Sequence, residues 1–91
     1  MAGPMELTIE LFGIPRQRAG AAQITMRADT LADALRQLEA TCPKLAGLLQ
    51  PDGTLSPHYL LSLDGTQFVG DLRKKLPPNA RLLLLSADAG G

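Results

Sequence analysis

The stretch from Thr30 to Cys42, TLADALRQLEATC, decides the fold because its apolar residues follow the period of an α-helix. The residues that recur three or four apart, and so share one helix face, are Leu31, Ala34, Leu35, Leu38 and Cys42. Thr30 can cap the start of this helix, where Asp33 favours the positive end of the helix dipole. Pro43 ends it, since the residue before a proline avoids the α conformation.

Two strand patterns precede the predicted helix. MELTIEL at 5–11 and AQITMR at 22–27 alternate apolar and polar residues with a period of two, which is typical of half-buried strands. GIPRQRAG at 13–20 lies between them and is predicted to be a connecting loop, because glycine and proline interrupt it. The two strands are therefore predicted to form an antiparallel pair.

The region after the helix contains further strand signals. KLAGLL at 44–49 is predicted to be a turn packed through its leucines, and Asp64–Gly65 is a tight-turn pair. GDLRKKLPP at 70–78 spaces Leu72 and Leu76 four apart, which predicts one helical turn. The segments that are predicted to be strands are HYLLSL at 58–63, TQFV at 66–69 and ARLLLL at 80–85.

This order of elements predicts an α+β fold in two layers, since one helix can cover only one face of the sheet. The β-grasp, or ubiquitin-like, fold has this order, with a mixed sheet of four to five strands and one main helix. The 91 residues fit a single domain spanning 1–91. Residues 1–4 are expected to be a loose N-terminus and residues 86–91 a flexible C-terminal tail.

Composition argues against several classes of function. Nine basic residues balance nine acidic ones, which disfavours a broad nucleic-acid or anionic-membrane footprint. No segment approaches the roughly 20 apolar residues that span a bilayer, and the N-terminus lacks the pattern of a signal peptide. The single cysteine, Cys42, is expected to be a buried structural thiol in a reducing compartment, so a cytoplasmic location is predicted.

The sequence contains no pattern of a catalytic site. His58 is the single histidine, no cysteine cluster offers a metal site, and no nucleophile, base and orienting group occur together. The chain is therefore predicted to be a non-catalytic protein that binds no metal and no resident cofactor.

The last six residues, SADAGG at 86–91, indicate a different kind of chemistry. A Gly-Gly terminus lacks Cβ atoms and can enter a narrow channel. An extended tail of this length reaches roughly 17–20 Å, at about 3.3 Å per residue. The terminal carboxylate can then be activated with ATP as an acyl-adenylate by a partner enzyme, and a sulfur donor can convert that adenylate to a thiocarboxylate.

Three stretches resemble the small sulfur-carrier family, often called MoaD/ThiS, which includes the small subunit of molybdopterin synthase and the thiamin-pathway sulfur carrier. LFGIPRQRAG resembles the family's first-strand exit through Phe12, Arg16 and Gly20. TLADALRQLEA resembles its helix start. NARLLLLSADAGG matches its last strand and tail in length, with the terminal Gly-Gly in register.

The resemblance implies a β-grasp fold and a sulfur-transfer cycle. An E1-like adenylyltransferase uses ATP to adenylate the terminus, a sulfur donor forms the thiocarboxylate, and an acceptor enzyme receives the sulfur. By this resemblance Gly91 carries the modified carboxylate, and Gly90 and Ala89 are the residues that enter the partner's channel. Molybdopterin synthesis, with its large synthase subunit as acceptor, is the leading pathway. Sulfur delivery to cysteine, through a cysteine-synthase-like enzyme, or to thiamin or a secondary metabolite is the alternative.

The leucine run before the tail provides candidate docking residues. Successive residues of a strand face opposite sides, so one pair of leucines within Leu82–Leu85 should meet the helix and the other should lie on the open face. Leu83 and Leu85 are the candidates for partner docking. Arg16, in the predicted loop, is a candidate guide for an acidic partner.

Two other classes of function fit the same features. A ubiquitin-like protein modifier would use the tail to form an isopeptide bond with lysines. A plain interaction module would have an incidental Gly-Gly.

Overall fold

A five-stranded mixed sheet packs one face against the long helix in the computed structural model, which describes residues 5–65 and 67–87, apart from the Gln67 side chain. The strands are β1 (Met5–Leu11), β2 (Gln23–Ala28), β3 (Tyr59–Leu63), β4 (Gln67–Phe68) and β5 (Ala80–Ser86). The helices are α1 (Gly13–Ala19) and α2 (Leu31–Thr41), and a 3₁₀ turn follows at Pro43–Leu45. The predicted β-grasp fold, with one main helix, is confirmed.

The last strand of the chain lies at the centre of the sheet, whose order is β2-β1-β5-β3-β4. β5 pairs in parallel with β1, from Leu7 opposite Ala80 to Leu11 opposite Leu84. On its other side β5 pairs antiparallel with β3, and the antiparallel β1–β2 pair is as predicted. Since β5 has hydrogen-bonded neighbours on both sides, the position of its end at Ser86 is fixed.

The core lies between this sheet and α2. The apolar face of α2 is buried as its spacing predicts, and Thr30 accepts a hydrogen bond at Oγ1 from the Asp33 N–H at 3.1 Å. Such a cap stabilises a helix by about 1 kcal/mol. None of the helices within the described residues is long and apolar enough to cross a membrane.

The predicted loop at 13–20 is wrong, because most of this segment forms α1. Pro15 lies in the first turn of α1, where a backbone N–H has no partner within the helix, so proline is tolerated there. Gly20 ends the helix in the left-handed region, with φ of 72°, and its N–H donates to the Arg16 carbonyl at 3.0 Å. A proline at the start and a glycine at the end are helix boundary signals.

The helical turn predicted within 70–78 is also wrong, since this segment forms a turn that serves the start of α2. The Leu72 carbonyl accepts a hydrogen bond from the Ala32 N–H at 2.8 Å, and the Lys74 carbonyl accepts one from the Leu31 N–H at 3.2 Å. The first N–H groups of a helix have no partner within it. The segment thus supplies acceptors to the first N–H groups of α2.

The tight turn predicted at Asp64–Gly65 is confirmed, and it fastens the β3–β4 hairpin to β5. Both residues have positive φ, 55° and 71°. Asp64 donates its N–H to the Arg81 carbonyl at 2.7 Å, and its Oδ1 accepts from the Arg81 N–H at 3.1 Å. These bonds hold β3 and β5 in the register on which the exposed face of the sheet depends.

Candidate functional site

The candidate site begins where β5 leaves the sheet. Ser86 pairs with Tyr59 as the last residue of β5, and the Ala87 N–H donates to the His58 carbonyl at 2.8 Å. The predicted tail begins at residue 86, but backbone pairing continues through Ala87. The residues predicted to carry the chemistry and to enter the channel, Ala89, Gly90 and Gly91, lie outside the described residues.

The leucine run divides between the two faces of the sheet. Leu82 and Leu84 are 0% exposed and face the core. Leu83 and Leu85 lie on the opposite, open face and are half-buried. The alternation is the direct result of the strand's period of two, and it places both predicted docking residues on the face that α2 does not cover.

Three further apolar residues join these leucines on the open face. Leu60 lies opposite Leu85 on β3, and Phe68 lies across the β3–β4 pair on the same side. Phe12 follows β1 in an extended conformation, and its N–H donates to the Leu84 carbonyl at 3.1 Å. Strand alternation therefore places Phe12 on the open face too. The open-face patch comprises Phe12, Leu60, Phe68, Leu83 and Leu85.

The exposure of this patch distinguishes it from the core. Phe68 is 69% exposed, and Phe12 and Leu60 are each 40% exposed. Exposed apolar residues grouped next to polar ones are typical of interaction sites, so this patch is the candidate docking surface. The patch lies over β3, β4 and β5, so it directly adjoins the strand that leads into the tail.

The other half of the open face is polar. Arg81 Nε lies 3.7 Å from Glu10 Oε2, which links β5 to β1. Glu6 lies opposite Arg27 across the β1–β2 pair. A surface ion pair such as Arg81–Glu10 contributes about 0–1 kcal/mol to stability. The charged side chains divide the open face into an apolar half and a charged half.

The helix α1 separates two arginines that the sequence places in one loop. Arg16, the predicted guide residue, is exposed and lines a shallow cleft with Gly13 and Gly20. Arg18 lies by the tail and donates from Nη1 to the Tyr59 hydroxyl at 2.9 Å. Pro15 near the start of this segment and Gly20 at its end are sequence signals for a helix. A helix predicted from them would have placed the side chains of Arg16 and Arg18 in different directions.

Arg18 forms one wall of a cleft of about 370 Å³ at the start of the tail. This tail-base cleft lies between α1, the turn after α2 and the start of β3. Its lining includes Ile14, Arg18, Ser56, His58, Tyr59 and Ser86. Because Ser86 belongs both to the cleft and to the end of β5, anything that binds in the cleft also lies against the base of the tail.

The carboxyl groups with shifted pKa values lie in a different part of the molecule. Hydrogen bonds from the Thr54 hydroxyl and backbone N–H lower the pKa of Asp52, and the Arg73 backbone and side chain lower the pKa of Asp71. Both carboxyls line a cleft beside Arg36, and each closes a local turn. Within residues 5–65 and 67–87 no group of three potential ligands could hold a metal ion.

Comparison with known proteins identifies a curated relative. No protein-family model matches the chain. Small archaeal modifier protein 3 of Haloferax volcanii is 38% identical over 68 residues, which cover 71% of this chain and 74% of that protein.

Solved structures agree with the fold. The HVO 2177 protein of Haloferax volcanii has a TM-score of 0.82 at 30% identity, covering 98% of this chain and 89% of that one. A putative molybdopterin converting factor, subunit 1, from Pyrococcus furiosus has a TM-score of 0.75 at 11% identity, covering 90% and 97%. The second likeness concerns the fold alone. The curated relative shows that the chain belongs to the small archaeal modifier protein family, and the solved structures show that it has a MoaD/ThiS-like, ubiquitin-like β-grasp fold.

Proposed function

We propose that this protein carries an activated carboxyl group at Gly91, its C-terminus, and passes it to partner proteins. The single observation that carries this proposal is the 38% identity to a small archaeal modifier protein in a chain whose sequence finishes in Gly-Gly. No catalytic group of its own is required. The reactive atom is the terminal carbon, and an E1-like adenylyltransferase supplies ATP and the catalysis.

The activation step has a simple chemical balance. A carboxylate oxygen of Gly91 attacks the α-phosphorus of ATP, and pyrophosphate leaves. The product is an acyl-adenylate, in which AMP is the leaving group. Hydrosulfide delivered by the sulfur donor then displaces AMP and loses a proton to give a thiocarboxylate, or a lysine amine displaces AMP and loses a proton to give an isopeptide bond.

The position of β5 supports this use of the tail. Backbone pairing holds the chain as far as Ala87. Four residues follow, and when extended they reach about 13 Å at roughly 3.3 Å each. Ala89, Gly90 and Gly91 have little or no side chain, so they can enter a narrow channel in the partner while the domain stays outside.

The open-face patch is proposed as the surface on which the partner docks. Leu83 and Leu85 lie in the strand that leads into the tail, so a partner that covers them is directly next to the entering residues. Interface cores are apolar and contain aromatic residues, which fits the exposed Phe12 and Phe68 of the same patch.

Two fates of the adenylate are proposed. Conjugation to lysines is supported by the name of the curated relative, which is a modifier protein. Sulfur carriage is supported by the resemblance of the strand exit, helix start and tail to sulfur carriers. For this second fate molybdopterin synthesis, with the large synthase subunit as acceptor, is the leading pathway. Sulfur delivery to cysteine, thiamin or a secondary metabolite is the alternative.

Intact mass spectrometry of the protein isolated from its native cell tests both fates. A sulfur carrier should show a species in which sulfur replaces one terminal oxygen. A modifier should appear in conjugates whose tryptic digestion leaves residues 82–91, LLLLSADAGG, on lysines, because Arg81 is the last basic residue of the sequence. A protein with neither species, and with no ATP–pyrophosphate exchange with an E1-like enzyme, would contradict the proposal.

Two variants provide the matched comparison. Deletion of Gly91 should abolish pyrophosphate exchange and leave thermal unfolding unchanged, since the residue lies beyond the paired strand. Gly70→Ala is the control, because a Cβ at Gly70 would meet no atom within 4 Å and its backbone is not in the left-handed region. This control should keep both activation and stability.

A further inference from the structure

We propose that the tail-base cleft binds a carboxylate side chain from an acidic segment of the partner that holds the tail, with Arg18 as its anchor. The inference deepens the proposed function and rests on it, because it assigns a specific contact to the same partner. It concerns a surface different from the open-face patch. It gives Arg18 the guiding role for which Arg16 is the candidate from the sequence.

One hydrogen bond holds the Arg18 guanidinium in place, and this bond occupies only one of its N–H donors. Its Nη1 donates to the hydroxyl of Tyr59 at 2.9 Å, and Tyr59 is 7% exposed. Arginine has five N–H donors in a rigid planar group. No other hydrogen bond or ion pair of this guanidinium is present among residues 5–65 and 67–87. A cation fixed on a buried hydroxyl loses little side-chain freedom when it binds an anion.

The remaining lining makes the cleft rich in donors. Ser56 and Tyr59 contribute hydroxyl groups next to the Arg18 guanidinium. No aspartate or glutamate is among its described lining residues. The Glu39 carboxylate lies near the cleft through Gly47, but it already accepts hydrogen bonds from the Gly47 N–H at 2.9 Å and from the Leu49 N–H at 3.4 Å. Charge complementarity therefore favours an acidic occupant.

The location identifies which partner would supply that carboxylate. Ser86 lines the cleft and is the last residue of β5, so the occupant lies where the chain enters the tail. Ile14 lines the cleft, is 41% exposed, and lies two residues after Phe12 of the open-face patch. Tyr59 and Ser86 face the α2 side of the sheet, so the cleft and the open-face patch lie on opposite faces. The two surfaces come together at the end of β5, where Leu85 belongs to the patch and Ser86 to the cleft, so a partner that surrounds this end can contact both. Its apolar contacts would lie on the sheet and its carboxylate would lie against Arg18.

The test is an NMR titration of the full-length ¹⁵N-labelled protein with a short blocked peptide of alternating glutamate and glycine. Its glutamine counterpart serves as the neutral probe. We expect the acidic peptide to shift the Arg18 side-chain Nε–H signal and the backbone signals of Gly47 and Tyr59, with an affinity that falls as salt is added. The glutamine peptide should cause no such shifts.

Variants then assign the contact. Arg18→Gln should weaken binding of the acidic peptide roughly tenfold, as expected for loss of a charge-assisted hydrogen bond. Tyr59→Phe should weaken it less, because the cation remains but loses its support. Arg36→Gln is the matched control on the exposed side of α2, outside the lining of this cleft, and it should leave the affinity unchanged.

Three results would overturn the inference. These are equal binding of the two peptides, shifts that map to the Lys74–Lys75 region instead of the cleft, or an unchanged affinity in Arg18→Gln. Each of these results can occur while Gly91 still becomes adenylated. Refutation of the cleft proposal is therefore distinguishable from refutation of the proposed function. Loss of adenylation without loss of peptide binding would instead contradict the proposed function and leave the cleft in place.

Discussion

The adjacent residues Leu84 and Leu85 allow stability and docking to be separated within one strand. Leu84 is 0% exposed and lies between Leu11 on β1 and Leu61 on β3. Leu84→Ala removes buried methyl groups from the centre of the sheet and leaves a cavity. Substitutions of this kind cost about 2–5 kcal/mol. A loss near 3 kcal/mol should lower the melting temperature by roughly 12–24 °C, at about 4–8 °C per kcal/mol for a domain of this size.

Leu85→Ala should behave differently, although it removes the same atoms. Leu85 is half-buried on the open face, and loss of a partly covered leucine side chain costs about 1 kcal/mol. The expected loss is in partner binding, since the residue lies in the middle of the open-face patch next to Leu60. The KM for adenylation should rise, and the unfolding midpoint should move only slightly.

Urea unfolding followed by circular dichroism and ATP–pyrophosphate exchange with the E1-like partner measure the two quantities. Thr25→Ala is the control, because Thr25 lies on β2 in the polar half of the same face. It should cause a small loss of stability with no change in KM. If Leu85→Ala unfolds as readily as Leu84→Ala, the assignment of faces is wrong. If its KM equals that of Thr25→Ala, the patch is not the docking surface.

Three further predictions concern the fold. Thr30→Ala should lower the free energy of unfolding by about 1 kcal/mol in urea titration, because the Asp33 N–H loses its cap; an unchanged value would show that water replaces the cap. Thr54→Val should raise the pKa of Asp52 in an NMR titration, since the Thr54 hydroxyl is the main cause of its lowering. A carboxyl group whose pKa is lowered by folding stabilises the folded state at pH values above its pKa in the unfolded chain, and this stabilisation is lost as the pH falls through its pKa in the folded state. The stability of the variant should therefore depend less on acid pH. Cys42 is 9% exposed and should react with a thiol reagent only in denaturant; fast labelling of the native protein would contradict its burial.

The residues that carry the proposed chemistry could be predicted from the sequence, because the signals that identify them are local in the chain. The helical spacing of TLADALRQLEATC, the alternation in MELTIEL and the bare Gly-Gly terminus each involve neighbours in the chain. The division of Leu82–Leu85 between two faces follows from the strand period alone. From these features the β-grasp fold, the helix cap at Thr30 and the division of the leucine run between two faces were all predictable.

The tail-base cleft was not predictable from the sequence. Arg18 and Tyr59 are 41 residues apart, and no local pattern indicates that a side chain on α1 meets the start of β3. The prediction of a loop at 13–20 also hid the helix that turns Arg16 and Arg18 in different directions. Long-range pairs of this kind depend on how elements pack, which periodicity does not encode.

By itself, then, the sequence determined the elements and their faces, because side-chain direction in a helix or strand depends only on spacing along the chain. Only the tertiary structure decided which strands are neighbours. The parallel pairing of β1 with β5 places the last strand at the centre of the sheet. Hydrogen bonds on both sides of β5 fix the end of this strand, where Leu85 belongs to the open-face patch and Ser86 to the Arg18 cleft.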